Sequence, residues 1–430
     1  MTRLLSLLRF ADRALLTQAA RAAGRVIRGR IRHVLVPPLS RAFKSPYLAN
    51  SALHATPERY GVVEYGCGET ITVPRPPDSG ELPGSFVKRV GTWNLSRPWY
   101  ALIADARLLG PTALAYTAEN AIVGESIIPE NYAVRGAPVT TRSVCLSALP
   151  PSWFPRVDEA CSMVGPWSQS YFEWLVEFLP RLRAVEHFRE CTGRRLKIII
   201  DAKPTPWQWE SLQLLGFTPD DLIVWNGRAA RVGLLLVPSF PRRLCEPGRA
   251  ISLVSPEALR WTRDSILSKL PPASEDGPRR VLISRRKAPG RRVVNEDEVM
   301  GLLSRFGFVS RVLEDLSFTE QVRLFAKARC VVAPHGAGLA NMTFSRELRV
   351  VELYGSYVNP SFFTLAASLN FRYGCLRCES IRSIHPKRDD LKIDIIKLER
   401  LLGEIEAGCR SQLLQASGER RDHEAIFGPG

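Results

Sequence analysis

The sequence predicts a soluble α/β protein in which two domains, each built on a parallel sheet, follow one another and enclose a cleft. The chain has 430 residues, of which 45% are hydrophobic and 24% charged, and this is enough for two cores. Strand-like apolar runs alternate with helix-length stretches from about residue 160 and again from about residue 280. Such alternation is typical of parallel sheets wound by right-handed crossovers. No long uncharged apolar run occurs, so we expect no membrane-spanning helix.

The individual elements follow from the order of apolar runs and turn residues. Between 55 and 155, β-type runs such as ETITV and NAIVGESII are separated by Pro and Gly, and their order in a sheet stays open. The first alternation runs from strand CSMVG through one long helix, SYFEWLVEFLPRLRAVEHFREC, to strands LKIIID, DLIVW and VGLLLVP. The second runs through strands RVLISR, FVSRVLE, CVVA and RVVELY, each followed by a predicted helix.

Four segments are therefore predicted. Residues 1–45 form a basic amphipathic segment, 46–245 an N-terminal α/β domain with a β-rich start, 246–412 a C-terminal α/β domain, and 413–430 a disordered tail. Residues 1–44 hold ten basic residues against one acidic residue, a net +9 of the +16 carried by the chain. Apolar residues recur there every three or four positions, which predicts a helix lying on an anionic membrane surface. A helix packed on its own domain and a targeting peptide remain alternatives.

Several other classes of protein are disfavoured. The nine cysteines are odd in number and scattered, which argues against a disulfide framework and for a reducing compartment, the cytoplasm. Cys375-Leu-Arg-Cys378 has no second pair at zinc spacing, so we predict two ordinary thiols and no metal site. The basic segment lacks interleaved aromatic residues, and no zinc-finger or RRM signature occurs, so no nucleic-acid partner is expected.

A glycine-containing turn ends the apolar run CVVAP. His335-Gly336-Ala337-Gly338 stands there, before a stretch that we predict to be a helix. Ligands of open parallel sheets bind at the carboxyl ends of strands. Glycines permit close backbone approach and positive φ, and a helix that begins there offers free N–H groups to a phosphate. A tight turn with a capping histidine is the alternative.

Cationic residues follow a second predicted strand. Arg285 and Arg286 come directly after the apolar run VLIS, and Arg291 and Arg292 lie in the next loop. Guanidinium groups match phosphate oxygens in a bidentate manner, although a solvated basic loop is an equal alternative for Arg291 and Arg292. Asn295 is predicted to cap the helix that follows. The chain contains no P-loop, GxSxG, HExxH or Asp-x-Asp motif, and its GxGxxN is a near miss of the dinucleotide fingerprint.

Four runs occur in order: SYFEWLVEFLPRL at 170–182, LISRRKAPGRRVVNEDEV, FTEQVRLFAKARCVVAPHGAGLANMTF and VVELY. Together they resemble glycosyltransferase family 61, the capsular polysaccharide biosynthesis-type transferases, over about 160–375. The resemblance implies a GT-B fold, in which two Rossmann-like domains face each other and the C-terminal one holds a nucleotide-sugar. It also implies inverting transfer to a glycan or polysaccharide acceptor without an essential metal or other cofactor. Ser170 and Glu173 depart from the Asn and His that are usual in that family.

The resemblance assigns donor contacts residue by residue. Arg285 falls at the arginine that meets the donor diphosphate, Asn295 and Glu296 fall on an Asn-Glu pair, and His335 to Asn341 fall on the glycine turn. The donor-binding residues predicted in this way are Arg285, Arg286, Asn295, Glu296, His335, Gly336, Ala337, Gly338, Asn341 and Glu352.

Inverting transfer also needs a general base that takes the proton of the acceptor hydroxyl. Glu173 and Glu177 are spaced i, i+4, so a regular helix would place both on one face towards the cleft. Repulsion between them would raise the pKa of one carboxyl. Glu177 stands at the family's acidic position and is preferred, whereas Trp174 is predicted to lie in the core. Two surface carboxylates are the alternative.

Two other functions remain open from the residues alone. One is a non-catalytic protein that binds a sugar nucleotide or a glycan on the same scaffold, and the other is a dinucleotide-dependent oxidoreductase. Binding of a sugar nucleotide rather than NAD(P) would separate the transferase from the oxidoreductase. A cytoplasmic protein, peripheral on the inner face of a membrane, is the expected location.

Overall fold

The computed structural model describes residues 47–77, 82–126, 149–245, 251–271, 277–381 and 385–407, together with Leu146. The predicted basic segment and the predicted tail both lie outside these residues.

The regular elements are as follows. The strands are β1 (Tyr47–Leu48), β2 (Val63–Glu64), β3 (Glu69–Val73), β4 (Gly91–Leu95), β5 (Trp99–Leu109), β6 (Leu114–Tyr116), β7 (Ile122–Val123), β8 (Arg156–Ser162), β9 (Lys197–Ile200), β10 (Leu222–Val224), β11 (Ala229–Pro238), β12 (Arg242–Leu244), β13 (Ser252–Val254), β14 (Arg280–Ser284), β15 (Val309–Val312), β16 (Cys330–Pro334), β17 (Arg349–Tyr354), β18 (Arg372–Arg377), β19 (Glu379–Ile381) and β20 (Asp390–Lys392). The α-helices are α1 (Asn50–Ala55), α2 (Pro57–Tyr60), α3 (Gly84–Val87), α4 (Tyr171–Glu173), α5 (Leu182–Thr192), α6 (Pro206–Leu214), α7 (Pro256–Leu267), α8 (Glu296–Arg305), α9 (Phe318–Lys327), α10 (Ser361–Ser368) and α11 (395–407).

The first sheet is mixed, which corrects the expectation of a parallel one. It has nine strands in the order β1-β7-β6-β5-β11-β8-β9-β10, with β2 paired to β5. Strands β11, β8, β9 and β10 run parallel, as predicted. The β-rich start then joins this half through β5, which pairs antiparallel with β11 along almost its whole length. The run ETITV forms β3, and in the described part of NAIVGESII, residues 120–126, the strand is Ile122–Val123.

The second sheet confirms the second predicted alternation. Its five strands are all parallel and follow the order β15-β14-β16-β17-β18. Strand β16 is buried at every position because helices cover both faces of the sheet. The turn after β16 and the loop after β14 therefore lie side by side at the carboxyl edge of the sheet, where ligands of such sheets bind.

The long helix predicted from residue 170 is broken into four pieces. The short α4 gives way to a π-helical turn at Trp174–Phe178, a 3₁₀ turn at Leu179–Arg181 and then α5. Pro180 explains part of the break because it has no N–H to donate and crowds the preceding turn. The π turn changes which side chains share a face, so the i, i+4 argument for Glu173 and Glu177 does not apply here.

The part of the chain around the first sheet and the part around the second sheet are here named the first and second halves. The two halves share a hydrophobic core, whereas the sequence predicted a separate core for each. Trp174 and Phe178, which precede α5, lie in the same buried cluster as Phe344 and Phe363 from the second half. Phe86 of α3 stacks on Phe363 with 5.1 Å between ring centroids. Each half also has a cluster of its own on the far side of its sheet. The contact between halves is therefore part of the fold and not a loosely packed seam.

Polar groups also join the halves. The Tyr171 hydroxyl donates to Asn341 Oδ1 at 2.7 Å. The Glu210 carboxylate of α6 accepts the backbone N–H groups of Phe318 and Thr319 at 3.0 and 2.9 Å. Glu210 therefore caps α9, a helix of the other half, at the end where the helix dipole favours negative charge. In the described part of the chain, every helix is too short or too polar to cross a membrane.

The Glu210 cap predicts a measurable loss of stability. Glu210→Ala should lower the free energy of unfolding by about 0.5–2 kcal/mol, because two helix N–H groups lose their acceptor. Urea unfolding followed by circular dichroism measures the change. Glu347→Ala, which removes an exposed glutamate in a turn, is the matched control and should be near neutral. Equal stability of the two variants would contradict a stabilising contact between the halves.

Candidate functional site

A cavity of about 350 Å³ opens at the carboxyl edge of the second sheet. Its floor comes from the loop after β14 and the turn after β16, including Arg285, Gly336 and Gly338. The first half of the chain closes one side with Tyr171 and Trp207. The cavity thus lies between the halves, where sequence reasoning expected a cleft.

Arg285 is a half-buried cation at this cavity. Its guanidinium donates from Nε and Nη2 to the carbonyl oxygen of Gly290 at 3.3 and 3.2 Å. It forms no ion pair with any carboxylate of the described residues, although the charge of Glu314, which also lines the cavity, acts on it. Burial, and then the charge of Arg291, lower the pKa of Arg285 to about 10. Partial loss of hydration around a cation without an ion pair costs free energy, so the site is arranged to gain from a bound anion.

Arg291 supplies a second cation. Its backbone adopts a left-handed conformation with φ of 58°. Its guanidinium lies over the ring of Tyr357 at 5.8 Å, and burial lowers its pKa. Arg292, by contrast, is exposed and paired with Asp390 at 2.7 Å. The sequence left open whether Arg291 and Arg292 bind phosphate or belong to a solvated loop. Arg291 lies close to Arg285, and the two are here named the cationic pair, whereas Arg292 belongs to a surface ion pair.

The glycine turn differs from the prediction in one respect and agrees in another. Gly336 has φ of −177°, so positive φ is not what requires glycine there. The chain continues as a 3₁₀ helix over Ala337–Phe344 and not as an α-helix. Close approach does require glycine, because a Cβ on Gly336 would collide with the Arg285 guanidinium and one on Gly338 would lie 2.5 Å from Leu313 Cδ1.

Backbone N–H groups of this turn face the same cavity. Gly336, Ala337 and Gly338 all line it, and Ala337 is exposed at its mouth. None of their N–H groups has an acceptor among the described residues. Free N–H groups at the start of a helical turn, next to a half-buried guanidinium, have the chemistry that phosphate oxygens require.

His335 is held in one orientation by a buried carboxylate. Its Nδ1 is hydrogen-bonded to Glu352, which also accepts from the Tyr373 hydroxyl. This contact at Nδ1 fixes the orientation of the imidazole ring. The rings of Tyr357 and Phe362 pack edge-on against the imidazole at 5.4 and 5.0 Å. Glu352 therefore positions His335.

Both the nitrogen and the oxygen of the Asn341 side-chain amide are hydrogen-bonded, and the bond to Tyr171 joins the two halves. Its Nδ2 donates to Gln321 Oε1 and the Gly338 carbonyl at 2.9 and 3.0 Å, while its Oδ1 accepts from Tyr171. Asn341 is fully buried. It fixes the glycine turn against Tyr171 and has no free group for a donor molecule.

Asn295, Glu296 and Arg286 support the loop after β14. Asn295 exchanges hydrogen bonds with the backbone of Ile393 at 3.0 Å in both directions. Asn295 is the residue before α8, but its side chain does not cap that helix, which corrects the capping prediction. Glu296 accepts from the Ser284 hydroxyl at 2.8 Å, and Arg286 Nη2 lies 3.7 Å from Glu296.

The two candidate bases have different surroundings. Glu177 is 2% exposed, and its Oε1 accepts from Arg242 Nε at 2.6 Å. Glu173 is half-buried and forms no ion pair among the described residues. Burial raises the pKa of Glu173, and the charge of Glu177 raises it further, against its own backbone N–H and the charge of Arg242. The alternative of two surface carboxylates is therefore wrong for Glu177.

Other sequence predictions have plain outcomes. Trp174 is fully buried and its indole N–H donates to Ser211 at 2.9 Å, which confirms a core residue. Cys375 and Cys378 are both buried, and burial raises the pKa of Cys378 to about 12. Among the residues that the structure describes, no cluster of three or more His, Cys, Asp or Glu side chains is arranged to hold a metal ion.

Comparison with known proteins gives one match. The family model described as "Glycosyltransferase 61" matches residues 171–351. The matched range contains both candidate bases and every predicted donor residue except Glu352, which directly follows its end. No curated protein gives a significant match to the chain.

The cationic pair predicts anion binding that depends on Arg285. Arg285→Ala should weaken binding of pyrophosphate by about 1.5–3 kcal/mol, roughly tenfold to a hundredfold, since a charge-assisted contact is lost. Gly336→Ala should weaken it comparably by displacing the same guanidinium. Isothermal titration calorimetry measures both effects.

Gly301→Ala is the matched control for the glycine substitution. A Cβ at Gly301 meets no atom within 4 Å, and the residue lies inside α8. Alanine there should leave binding unchanged and stabilise the helix by about 0.5–1 kcal/mol. Wild-type affinity in Arg285→Ala would show that the anion binds elsewhere.

Proposed function

We propose that this chain, which carries a glycosyltransferase family 61 domain over residues 171–351, transfers a sugar from a nucleotide-sugar to a glycan or polysaccharide acceptor with inversion and without a metal. One observation carries the proposal beyond the family: the half-buried Arg285 guanidinium lines the cavity and forms no ion pair among the described residues. A nucleoside diphosphate is the anion that a family 61 domain would bring there.

The leaving group is stabilised by charge already in place. Arg285 supplies a cation at the cavity, and Arg291 supplies a second one close enough to lower the pKa of Arg285. Gly336, Ala337 and Gly338 supply backbone N–H groups. Negative charge grows on the diphosphate as the bond to the sugar breaks, so preorganised donors bind the transition state more tightly than the substrate.

Glu173 is the base in this proposal, in place of Glu177. Glu177 Oε1 already accepts from Arg242 Nε in a buried ion pair, so this carboxylate holds Arg242 in place. Glu173 has no such partner, and its raised pKa suits proton transfer. In family 61 a histidine is usual at the position that Glu173 occupies in this chain. The glutamate thus keeps a proton acceptor where the family has one.

The reaction then proceeds in one displacement. The acceptor oxygen attacks the anomeric carbon from the face opposite the nucleotide while its proton passes to the Glu173 carboxylate. The bond between the anomeric carbon and the diphosphate oxygen breaks, and its electron pair stays on that oxygen. The products are the extended glycan, a nucleoside diphosphate and protonated Glu173, which loses its proton to solvent.

A ligand and activity screen tests the function. Full-length protein is heated with UDP, GDP, CMP, sugar nucleotides and NAD(P), since a ligand of the folded state raises the melting temperature. Donors that stabilise the fold are then assayed for hydrolysis and transfer, with and without EDTA. We expect a nucleoside diphosphate to stabilise the chain and activity to survive EDTA. Stabilisation by NAD(P) alone, or a strict requirement for Mg²⁺ or Mn²⁺, would contradict the proposal.

Substitution of Glu173 and substitution of Glu177 are expected to have different effects. Glu173→Gln should keep donor binding and lower transfer by roughly 10²–10⁴, the usual contribution of a general base. The wild-type kcat should fall on the acid side at a pH above the usual glutamate pKa of about 4.3, because the base must be ionised and its pKa is raised. Glu173→Gln should abolish that acidic limb.

Glu177→Gln should instead lower stability, because Arg242 is left buried without its counter-ion. Such a loss is commonly about 3–5 kcal/mol. Unfolding is therefore measured beside kcat for both variants. Transfer unaffected by Glu173→Gln, or lost in Glu177→Gln with wild-type stability, would return the base to Glu177.

The proposal also covers the class of acceptor and the location of the enzyme in the cell. A capsule or other cell-surface polysaccharide is the acceptor class that the family suggests, and the inner face of the cytoplasmic membrane is where the basic segment 1–45 would hold the enzyme. Deletion of residues 1–44 should leave a folded, UDP-binding chain that no longer sediments with anionic liposomes. Salt should release the intact chain, since attraction is screened over about 8 Å at physiological ionic strength. Equal sedimentation of both chains would refute the membrane role.

A further inference from the structure

A second cavity, of about 360 Å³, lies in the first half of the chain and is here named the arginine cavity. Its volume falls within the usual range of small-ligand sites, about 300–1,000 Å³. Nearly all of its lining side chains are polar. They are Asn50, Ser51, His54, Glu64, Ser96, Trp99, Glu125, Ser239, Arg242 and Arg243.

The arginine cavity adjoins the candidate base. Arg242 lines it and also donates to Glu177, one turn from Glu173. The Arg242 guanidinium lies 5.5 Å over the ring of Phe172, next to Glu173 in the chain. Phe172 packs against Phe362, and Phe362 packs against His335. A series of side-chain contacts therefore runs from this cavity through Phe172, the chain neighbour of Glu173, to His335.

Two buried nitrogen donors at the arginine cavity have no acceptor. They are Nη2 of Arg242 and Nε of Arg243, in side chains that are 6% and 8% exposed as residues. Folded proteins leave few buried polar groups unpaired, because each costs free energy. Unpaired guanidinium nitrogens beside a cavity call for oxygen acceptors from a ligand or from water.

The ion pairs around the cavity favour a neutral ligand over an anion. Arg242 is paired with Glu177, and Arg243 with Glu69 at 3.2 Å. Glu125 is held by the Phe240 N–H at 2.6 Å and by Asn50 at 3.0 Å. Because both arginines already have carboxylate partners, an added anion would find no uncompensated charge, in contrast to Arg285. Hydroxyl groups match these fixed donors and acceptors without adding charge.

We propose that the arginine cavity binds a neutral sugar residue of the acceptor glycan. The Arg242 and Arg243 guanidinium groups donate to its oxygens, and the carboxylates of Glu64 and Glu125 accept from its hydroxyls. Arg242 thereby links acceptor binding to the helix turn that carries Glu173 and Glu177. This inference rests on the proposed function, since it names where the acceptor of that reaction lies.

A third cavity, of about 380 Å³, is the competing location. It is lined by Arg194, Leu196 and Ser268, among others. Arg194 and Leu196 directly precede β9, so this cavity lies at the amino edge of the parallel strands. Glu173 follows the carboxyl end of β8, at the opposite edge. An acceptor in the third cavity would be separated from the base by the sheet.

Filling the two cavities one at a time shows which of them binds the acceptor sugar. Ser96→Trp places an indole in the arginine cavity, and Ser268→Trp makes the same change in the third cavity; both serines are exposed, so neither substitution burdens the core. Saturation-transfer NMR on the full chain with UDP uses methyl glucosides, galactosides and xylosides of both anomers as neutral probes. Methyl glucuronide is the acidic probe. We expect at least one neutral glycoside to bind the wild type, to be lost in Ser96→Trp and to persist in Ser268→Trp.

Each other outcome overturns the inference. It fails if no neutral glycoside binds the wild type, if only the glucuronide binds, or if Ser268→Trp and not Ser96→Trp removes binding. UDP affinity, measured in the same samples, should be unchanged in both variants and reports on folding. A chain that binds UDP but no glycoside refutes this acceptor site and leaves the transferase standing. A chain that binds no nucleotide refutes the transferase itself.

Discussion

The hydrogen bond from the Tyr171 hydroxyl to Asn341 Oδ1 is the contact on which the candidate site depends. Tyr171 begins the broken helix that carries Glu173 and Glu177, and Asn341 lies in the 3₁₀ turn that begins beside Gly336 and Gly338. Gln321 Oε1 accepts from Asn341 Nδ2 at 2.9 Å and lies 3.1 Å from the Tyr171 hydroxyl, so it closes the network from α9. The separation between the proposed base on one half and the proposed diphosphate site on the other is therefore set by three side chains that lie largely out of solvent. Such a network is stabilising only when every member is satisfied.

The arginines that lie wholly or partly out of solvent have two different surroundings in this protein. Arg242 and Arg243 are buried and have carboxylate partners, Glu177 and Glu69, so they contribute to a fixed framework. Arg285 and Arg291 are half-buried and form no ion pair among the described residues; burial, and then repulsion from Arg291, lower the pKa of Arg285. The first pair suits a neutral ligand and the second suits an anion. A donor with a diphosphate and an acceptor with only hydroxyl groups would thus find separate places, each matched in charge.

The shared core limits how the two halves can move. Phe86, from the β-rich start, packs on Phe363 of α10, and Glu210 caps α9 from the other half. Opening a cleft at this contact would expose aromatic rings and free two helix N–H groups, both of which cost free energy. Motions that admit substrates are therefore expected at the cavity mouth and not in the interface beneath.

The sequence by itself determined the second sheet and the cationic turn. Alternating apolar runs specify parallel strands, and a parallel strand must end at the edge where ligands bind, so Arg285 and Gly336 could be placed together from their positions alone. The tertiary structure decided what each polar group does. Asn341, Asn295 and Glu352 carry the residue types of a binding site, yet their partners are Tyr171, the Ile393 backbone and His335.

The roles of the two glutamates were likewise beyond the sequence. Their i, i+4 spacing assumes a regular helix, which the π turn and Pro180 interrupt, and the partner of Glu177 is Arg242, 65 positions away in the chain. Local spacing fixes secondary structure because it acts through neighbouring residues. Ionisation and burial depend on residues brought together from distant parts of the chain, and only the folded structure specifies those.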